Sequence, residues 1–166
     1  MMSVGKFLAG CGLAVAALLG TGCATPPRPD AQAQATAHWT GRMALQVEGS
    51  AAQSFSAGFE LQGSALAGEL KLYTPLGSTL AVLSWAPGAA TLRSNGQARQ
   101  FASVEALAAE ATGTAIPVGA LFDWLGGVGT AAAGWDADLS QLAQGRLRAR
   151  RTEPAPAADL RVAFDL

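Results

Sequence analysis

The chain of 166 residues is half apolar, carries only 14% charged residues and contains 20 glycines. This composition excludes a disordered chain and a collagen-like one, and it predicts a globular protein with many turns. A formal net charge of −1 is not the strongly basic balance typical of nucleic-acid binders, so we expect no nucleic-acid partner.

The first 22 residues have the layout of a secretory signal peptide. Lys6 is their only charged residue, residues 7–19 are almost wholly apolar, and residues 20–22 are small. A transmembrane helix needs about 20 apolar residues, and this run is shorter and is soon followed by two prolines. We therefore predict that residues 1–22 are a leader that is cleaved off.

The residues before Cys23 resemble a lipobox, in which a cysteine receives a diacylglycerol group. Gly20 stands where leucine is usual, and Leu19 lies one position further back. Cys11 fits the pattern better, but the apolar stretch before it is too short for a leader. We predict lipidation at Cys23; the alternative is an ordinary signal peptide with a free thiol, which secreted proteins tend to avoid.

Residues 23–37 are predicted to be a flexible tether, since prolines are followed there by alanine, glutamine and threonine. Ala24 occupies the position where an aspartate would resemble an inner-membrane retention signal. Its presence therefore favours the outer membrane, facing the periplasm, as the place of the anchor. Residues 38–166 are predicted to form the folded domain.

Segments of alternating polarity follow the tether and predict β-strands. Three of them have one apolar face, whereas residues 79–85 are apolar on both faces, which predicts packing on both sides. Asn95-Gly96 is a favoured two-residue hairpin turn, joining strands at 90–94 and 97–101. The apolar positions of the first three strands are Trp39, Met43, Leu45, Val47, Phe55, Ala57, Phe59, Leu61, Leu66, Leu70 and Leu72.

The apolar period lengthens after residue 102 and predicts two short helices. Ser103 is a good N-cap for the first, which Gly113 can end. Pro117 can open the second, which residues 126–127 can end. With the strands that resume later, these elements predict a mainly β fold with short helices: an incomplete antiparallel β barrel, or curved sheet, whose concave face the helices cover.

Strands resume near Arg146, and the last one alternates up to Leu166. Arg146, Arg148 and Arg150 fall on one face of a strand, and Arg151 follows. Two interpretations remain open for this cluster. It either guards a solvent-facing sheet edge or contacts lipid headgroups or an acidic partner.

The sequence offers little material for catalysis. His38 is the single histidine, so a Ser/His/Asp triad or a histidine-rich metal site is not expected. Asp136 and Asp138 could act as a carboxylate pair, but they follow Gly134 in what reads as a solvated loop. We predict a protein that is not an enzyme and that uses no cofactor or metal.

The segment between the third and fourth strands predicts an exposed leucine. Pro75 and Gly77 mark a turn that leaves Leu76 at or near its tip. Burying such a side chain in lipid contributes roughly 1.5 to 3 kcal/mol. This is too little to hold a protein on a membrane, but it is enough to orient one that is already tethered.

An ordered set of motifs resembles the LolB family of outer-membrane lipoprotein receptors. The set comprises residues 74–79, the hairpin at 95–96, the first helix, and residues 113–118 running on to 122–127. The resemblance covers about residues 39–166. It implies an incomplete β barrel whose apolar interior receives the acyl chains of lipoproteins from the periplasmic carrier LolA. It also implies that Pro75, Leu76 and Gly77 form a loop that helps to place the cargo in the membrane.

The same resemblance implies an acyl-chain cavity lined by the inward faces of the strands. The residues expected there are Met43, Leu45, Phe55, Phe59, Leu70, Leu72, Leu80 and Val82. For each of them, an ordinary position in a solid core is the alternative.

Two functions of different classes follow from these observations. One is a monomeric, lipid-anchored receptor that accepts lipoproteins from LolA and inserts them into the lipid of the outer membrane. The other is a lipid-anchored structural or assembly factor whose filled β domain binds proteins on its surface. A soluble shuttle of the LolA type is disfavoured by the lipobox and by the Leu76 loop.

Overall fold

The computed structural model describes residues 36–49, 54–112 and 114–166. The predicted signal peptide, Cys23 with nearly all of the predicted tether, and Gly113 lie outside these residues. No helix in the described part of the chain combines the length and the apolar character needed to cross a membrane.

Within the described residues, nine antiparallel strands form one open sheet in the order β6-β5-β4-β3-β2-β1-β9-β8-β7. The edges β6 and β7 do not pair with each other, so the predicted incomplete barrel is confirmed as a curved sheet. The strands are β1 (Ala37–Val47), β2 (Phe55–Gly63), β3 (Gly68–Tyr73), β4 (Thr79–Ala86), β5 (Ala89–Ser94), β6 (Gln97–Phe101), β7 (Trp135–Asp138), β8 (Arg146–Arg151) and β9 (Ala158–Phe164).

The period-two alternation sorts side chains onto an inner and an outer face of the sheet. On β1, Met43, Leu45 and Val47 are buried, while Arg42 and Gln46 are exposed. The predicted hairpin is also confirmed, since positive φ angles at Asn95 (53°) and Gly96 (75°) join β5 to β6.

Three predictions about the strands are wrong. Leu66 lies in the turn before β3 and is 66% exposed, because the Ser64 hydroxyl oxygen accepts the backbone N–H groups that close this turn. Leu166 lies beyond β9 and is 88% exposed. Asp136 and Asp138 do not lie in a loop; they occupy the exposed face of β7, a strand that the sequence did not reveal.

The part of the chain that the structure describes has two α-helices, α1 (Val104–Thr112) and α2 (Val118–Leu125), and both pack on the inner face of the sheet. Ser103 caps α1 as predicted, since its Oγ accepts the N–H of Ala106 at 3.2 Å. α2 follows Pro117 and is buried more fully than α1. The ring of Phe122 makes T-shaped contacts with the rings of Trp39 and Trp85, at centroid distances of 5.6 and 6.2 Å.

Candidate functional site

An apolar cavity of about 490 Å³ lies between the inner face of the sheet and the two helices. Its size falls within the roughly 300 to 1,000 Å³ of small-molecule sites. Apolar side chains from β1 to β5 form one wall, and residues of both helices form the other. The main apolar lining residues are Met43, Phe55, Leu61, Leu70, Leu72, Leu83, Trp85, Leu92, Val104, Ile116, Val118, Leu121 and Leu160.

Five of the eight residues that the sequence placed in the cavity wall do line it: Met43, Phe55, Leu70, Leu72 and Leu80. The assignment of the other three is wrong. Leu45 and Phe59 are buried in the solid core beside the cavity, 0% and 2% exposed. Val82 lies on the outer face of β4, opposite Lys71 and Arg93 in the neighbouring strands.

An irregularity in the pairing of β3 with β4 explains the error at Val82. Leu72 pairs with Ala81 while the next residue, Tyr73, pairs with Thr79, so Leu80 is left without a partner. This extra residue interrupts the alternation. Leu80 and Ala81 therefore both line the cavity, and Val82 falls on the opposite face.

The alternation of the strands does not predict the helical wall of the cavity. Val104, Ala108, Val118 and Leu121 line the cavity from α1 and α2. The signal was present in the apolar stripes of both helices. A stripe, however, shows only that a helix has a buried face, and not whether that face meets other side chains or empty space.

Polar groups concentrate on one side of the cavity, along the hairpin of β5 and β6 and the end of α1. Arg99 of β6 donates to Glu110 of α1 at 2.7 Å, and its guanidinium lies 5.3 Å from the centre of the Phe101 ring. Ser94, Asn95 and Gln97 line the same side. A ligand in this cavity would meet apolar walls and a polar rim.

Leu76 is 95% exposed in the loop between β3 and β4. Thr74 and Ser78 close the loop through the bond from Thr74 N to Ser78 O, 2.8 Å, and Gly77 N donates to Thr74 O at 2.9 Å. Gly77 has a φ of 83°, which glycine adopts without strain. The loop holds its leucine outward between two strands whose ends, at Leu72 and Leu80, line the cavity.

β7 flanks β8 only from Arg148 to Arg151, so these arginines do not lie on a sheet edge, and the interpretation as an edge guard is wrong for them. Arg146 pairs with β9 alone. Arg148 and Arg161 both donate to the carboxylate of Asp159, Arg161 at 3.1 and 3.2 Å. Arg151 is buried, and its guanidinium donates to the Pro154 carbonyl at 2.9 and 3.0 Å.

The hydrogen bonds from Arg148 are the main reason that the pKa of Asp159 falls from 3.8 to about 2, and Arg161 adds to the effect. A carboxyl group whose pKa is lower in the folded protein stabilises it above the unfolded pKa, and this contribution is lost as the pH falls through the folded pKa. A shift of this size corresponds to at most about 2.5 kcal/mol. Because the arginines are partly exposed, solvent screening reduces the figure to about 1 kcal/mol.

We therefore expect Asp159→Asn to lower the free energy of unfolding by about 1 kcal/mol at pH 7. The difference from the wild type should shrink between pH 4 and pH 2, measured by urea unfolding at several pH values. Asp136→Asn is the matched control, since this exposed carboxylate makes no ion pair with a described arginine, and Arg150, opposite it on β8, pairs with Asp159 instead. A loss that is the same at pH 2 as at pH 7 would contradict an electrostatic role for Asp159.

No group of three or more histidine, cysteine, aspartate or glutamate side chains is placed to hold a metal within the described residues. Asp138 accepts the backbone N–H of Ser140 at 2.9 Å, and its hydrogen bonds with Ser140 lower its pKa. The Asp138 carboxylate therefore stabilises the turn after β7.

The sequence of this chain is similar to that of known proteins. The sequence model of a family described as outer membrane lipoprotein LolB matches residues 37–155. The outer-membrane lipoprotein LolB of Bordetella petrii is 36% identical over 110 residues, 64% of this chain and 55% of that protein. The Bordetella pertussis protein of the same name is 38% identical over the same shares. That of Cupriavidus necator is 36% identical over 118 residues, 70% of this chain and 59% of that protein.

The chain thus spans a little over half the length of these curated relatives. The matched family region runs from the first residue of β1 to the segment before β9, and so it includes both helices and the loop that carries Leu76. This chain belongs to the LolB family of outer-membrane lipoproteins.

Proposed function

We propose that this protein accepts acylated lipoproteins from the periplasmic carrier LolA in its apolar cavity and inserts them into the outer membrane. The observation that carries the proposal is the open apolar cavity next to a loop with a fully exposed leucine. The first feature can shelter hydrocarbon from water, and the second can enter a lipid surface.

The cavity gives the transfer its driving force without a chemical step. Each methylene group removed from water contributes about 0.8 kcal/mol. An acyl chain therefore moves from carrier to receptor to bilayer if each site shelters more of it than the one before. The rival function, a filled β domain that binds proteins on its surface, needs a solid interior, and the cavity between the sheet and the helices argues against it.

The anchor is the second part of the proposal. Lipidation at Cys23 would leave 12 residues, 24–35, between the anchor and Thr36. The 13 Cα–Cα steps from Cys23 to Thr36 span at most about 45 Å. A tether of this reach lets a monomer turn between the carrier and the membrane. Immersion of Leu76, worth roughly 1.5 to 3 kcal/mol, would then bias the anchored protein toward the orientation that delivers cargo.

Titration with a fluorescent acylated peptide tests the cavity, using a chain that lacks residues 1–23. We expect saturable binding, and none for the same peptide without its acyl chain. Absence of saturable uptake would contradict the receptor function and favour the surface-binding factor. Mass spectrometry of the mature N-terminus tests the anchor, since an unmodified terminus would point to a soluble shuttle.

A further inference from the structure

Two arginines on the outer face of the sheet have no acidic partner. Arg42 of β1 and Arg146 of β8 both pair with Ala163 of the intervening strand β9, one from each side. Both are exposed, and neither makes an ion pair with any described residue. Since adjacent strands lie about 4.8 Å apart, the two backbones are about 10 Å apart, with only the Ala163 methyl group between them.

The carboxylates nearest to this pair are already engaged. Glu60 accepts a hydrogen bond from the Tyr73 hydroxyl group at 3.0 Å, and Asp165 accepts one from the Thr40 hydroxyl group at 2.6 Å. Asp159 is held by Arg148 and Arg161. Arg42 and Arg146 thus line a common space without an ion pair to any described residue, although Glu60 and Asp165 line the same space.

The two arginines belong to a row that reaches the base of the Leu76 loop. Arg42 also pairs with Gly58 of β2, which in turn pairs with Tyr73, the last residue of β3. The row consists of Tyr73, Gly58, Arg42, Ala163 and Arg146 and is here called the arginine row. All five residues line one shallow groove of about 550 Å³, and Glu60 and Asp165 line it too. Its floor is made of the small residues Gly58 and Ala163, so the groove has room for a ligand.

We propose that the arginine row binds the phosphate group of an anionic lipid of the outer membrane. A guanidinium presents paired N–H donors that match the oxygens of a phosphate. Along the sheet, the backbone of Arg42 is two strand spacings, about 10 Å, from that of Tyr73. The backbone of Arg146 is four spacings, about 20 Å, from it. With Leu76 in the acyl region, the row begins at the base of the inserted loop, at Tyr73, and can meet the headgroups around that loop. The proposal rests on the outer-membrane location of the family and does not require acyl uptake.

The test uses the full lipidated chain, held by its own anchor in nanodiscs of phosphatidylcholine with or without phosphatidylglycerol. Phenylglyoxal modifies accessible guanidinium groups, and peptide mass spectrometry follows the rate at each arginine. We expect phosphatidylglycerol to slow the modification of Arg42 and Arg146 about five-fold or more, the effect of one arginine at an anionic surface.

Arg93 is the internal control. Arg93 is exposed on the same outer face and lies on β5, the strand next to β4, at whose start the Leu76 loop ends. Its cross-strand neighbours are Val82 and Ala98. We expect its rate to change less than that of the two arginines of the row. An equal slowing at Arg93 would show a general surface potential and overturn the proposal, as would unchanged rates at Arg42 and Arg146.

Two further measurements separate the remaining possibilities. Millimolar inorganic phosphate added to phosphatidylcholine discs should protect neither arginine; equal protection would identify a site for free phosphate and overturn the lipid assignment. Arg146→Gln should remove the protection of Arg42, because the site needs both guanidinium groups. Full protection of Arg42 in that variant would contradict a shared site. None of these readouts involves acyl binding, so their failure would leave the proposed receptor function intact.

Discussion

Leu76→Glu is expected to abolish delivery of lipoproteins to membranes while leaving their uptake from the carrier intact. Leu76 is 95% exposed and supports no core contact, so the free energy of unfolding should change by less than about 0.5 kcal/mol. A carboxylate at the tip of the loop replaces a favourable insertion of roughly 1.5 to 3 kcal/mol by the cost of placing a charge in hydrocarbon. We expect delivery to fall more than ten-fold in an assay with carrier-bound lipoprotein and outer-membrane vesicles.

Leu66→Glu is the matched control for this variant. Leu66 is also an exposed leucine in a turn, but it precedes β3, whereas Leu76 follows it, so the two lie at opposite ends of that strand. Delivery should be unchanged in Leu66→Glu. If delivery were equally reduced in both variants, or unchanged in Leu76→Glu, the loop would have no specific part in insertion.

The second large effect is expected from Ala81→Phe, which puts an aromatic ring into the cavity. Ala81 lines the cavity from β4 and is 9% exposed. If the ring displaces about two methylene groups of a bound acyl chain, at about 0.8 kcal/mol each, affinity for the acylated peptide falls about fifteen-fold. Because the ring enters empty space, it should avoid the full cost of overpacking a solid core, about 1 to 3 kcal/mol.

Val82→Phe provides the control on the adjacent residue of the same strand. Val82 faces outward between Lys71 and Arg93, so its enlargement should leave acyl binding unchanged. Titration of both variants with the fluorescent acylated peptide, with urea unfolding as a check on folding, tests the pair. Equal affinities in Ala81→Phe and the wild type would mean that acyl chains do not occupy this cavity.

The exposed leucine could be found from sequence because its cause is local. Pro75 and Gly77 limit the backbone to a tight turn, and the hydrogen bonds of that turn join only residues 74–78. The hairpin turn at Asn95 and the N-cap at Ser103 also have local causes. In each case, the residues that determine the geometry lie within a few positions of the feature itself.

The cavity wall was only partly predictable because it depends on pairing between strands. Alternation placed Met43, Leu70 and Leu72 correctly, since each lies on a regular stretch of strand. Val82 was misplaced because a single unpaired residue, Leu80, interrupts the alternation. A sequence pattern with a period of two carries no mark of such an insertion when both faces of the strand are apolar.

The sequence by itself determined the local elements and the fold class: the alternating strands, the two helices, and the loop that exposes Leu76. Only the tertiary structure decided that space remains between the sheet and the helices. It also decided that β8 pairs with β9 and β7, where Arg148 meets Asp159, while Arg42 and Arg146 make no ion pair with a described residue. The physical reason is range. Backbone geometry follows from residues a few positions apart, whereas a void or an ion pair depends on side chains that different strands bring together. Met43 and Leu160 both line the cavity although they lie more than 100 positions apart in the chain.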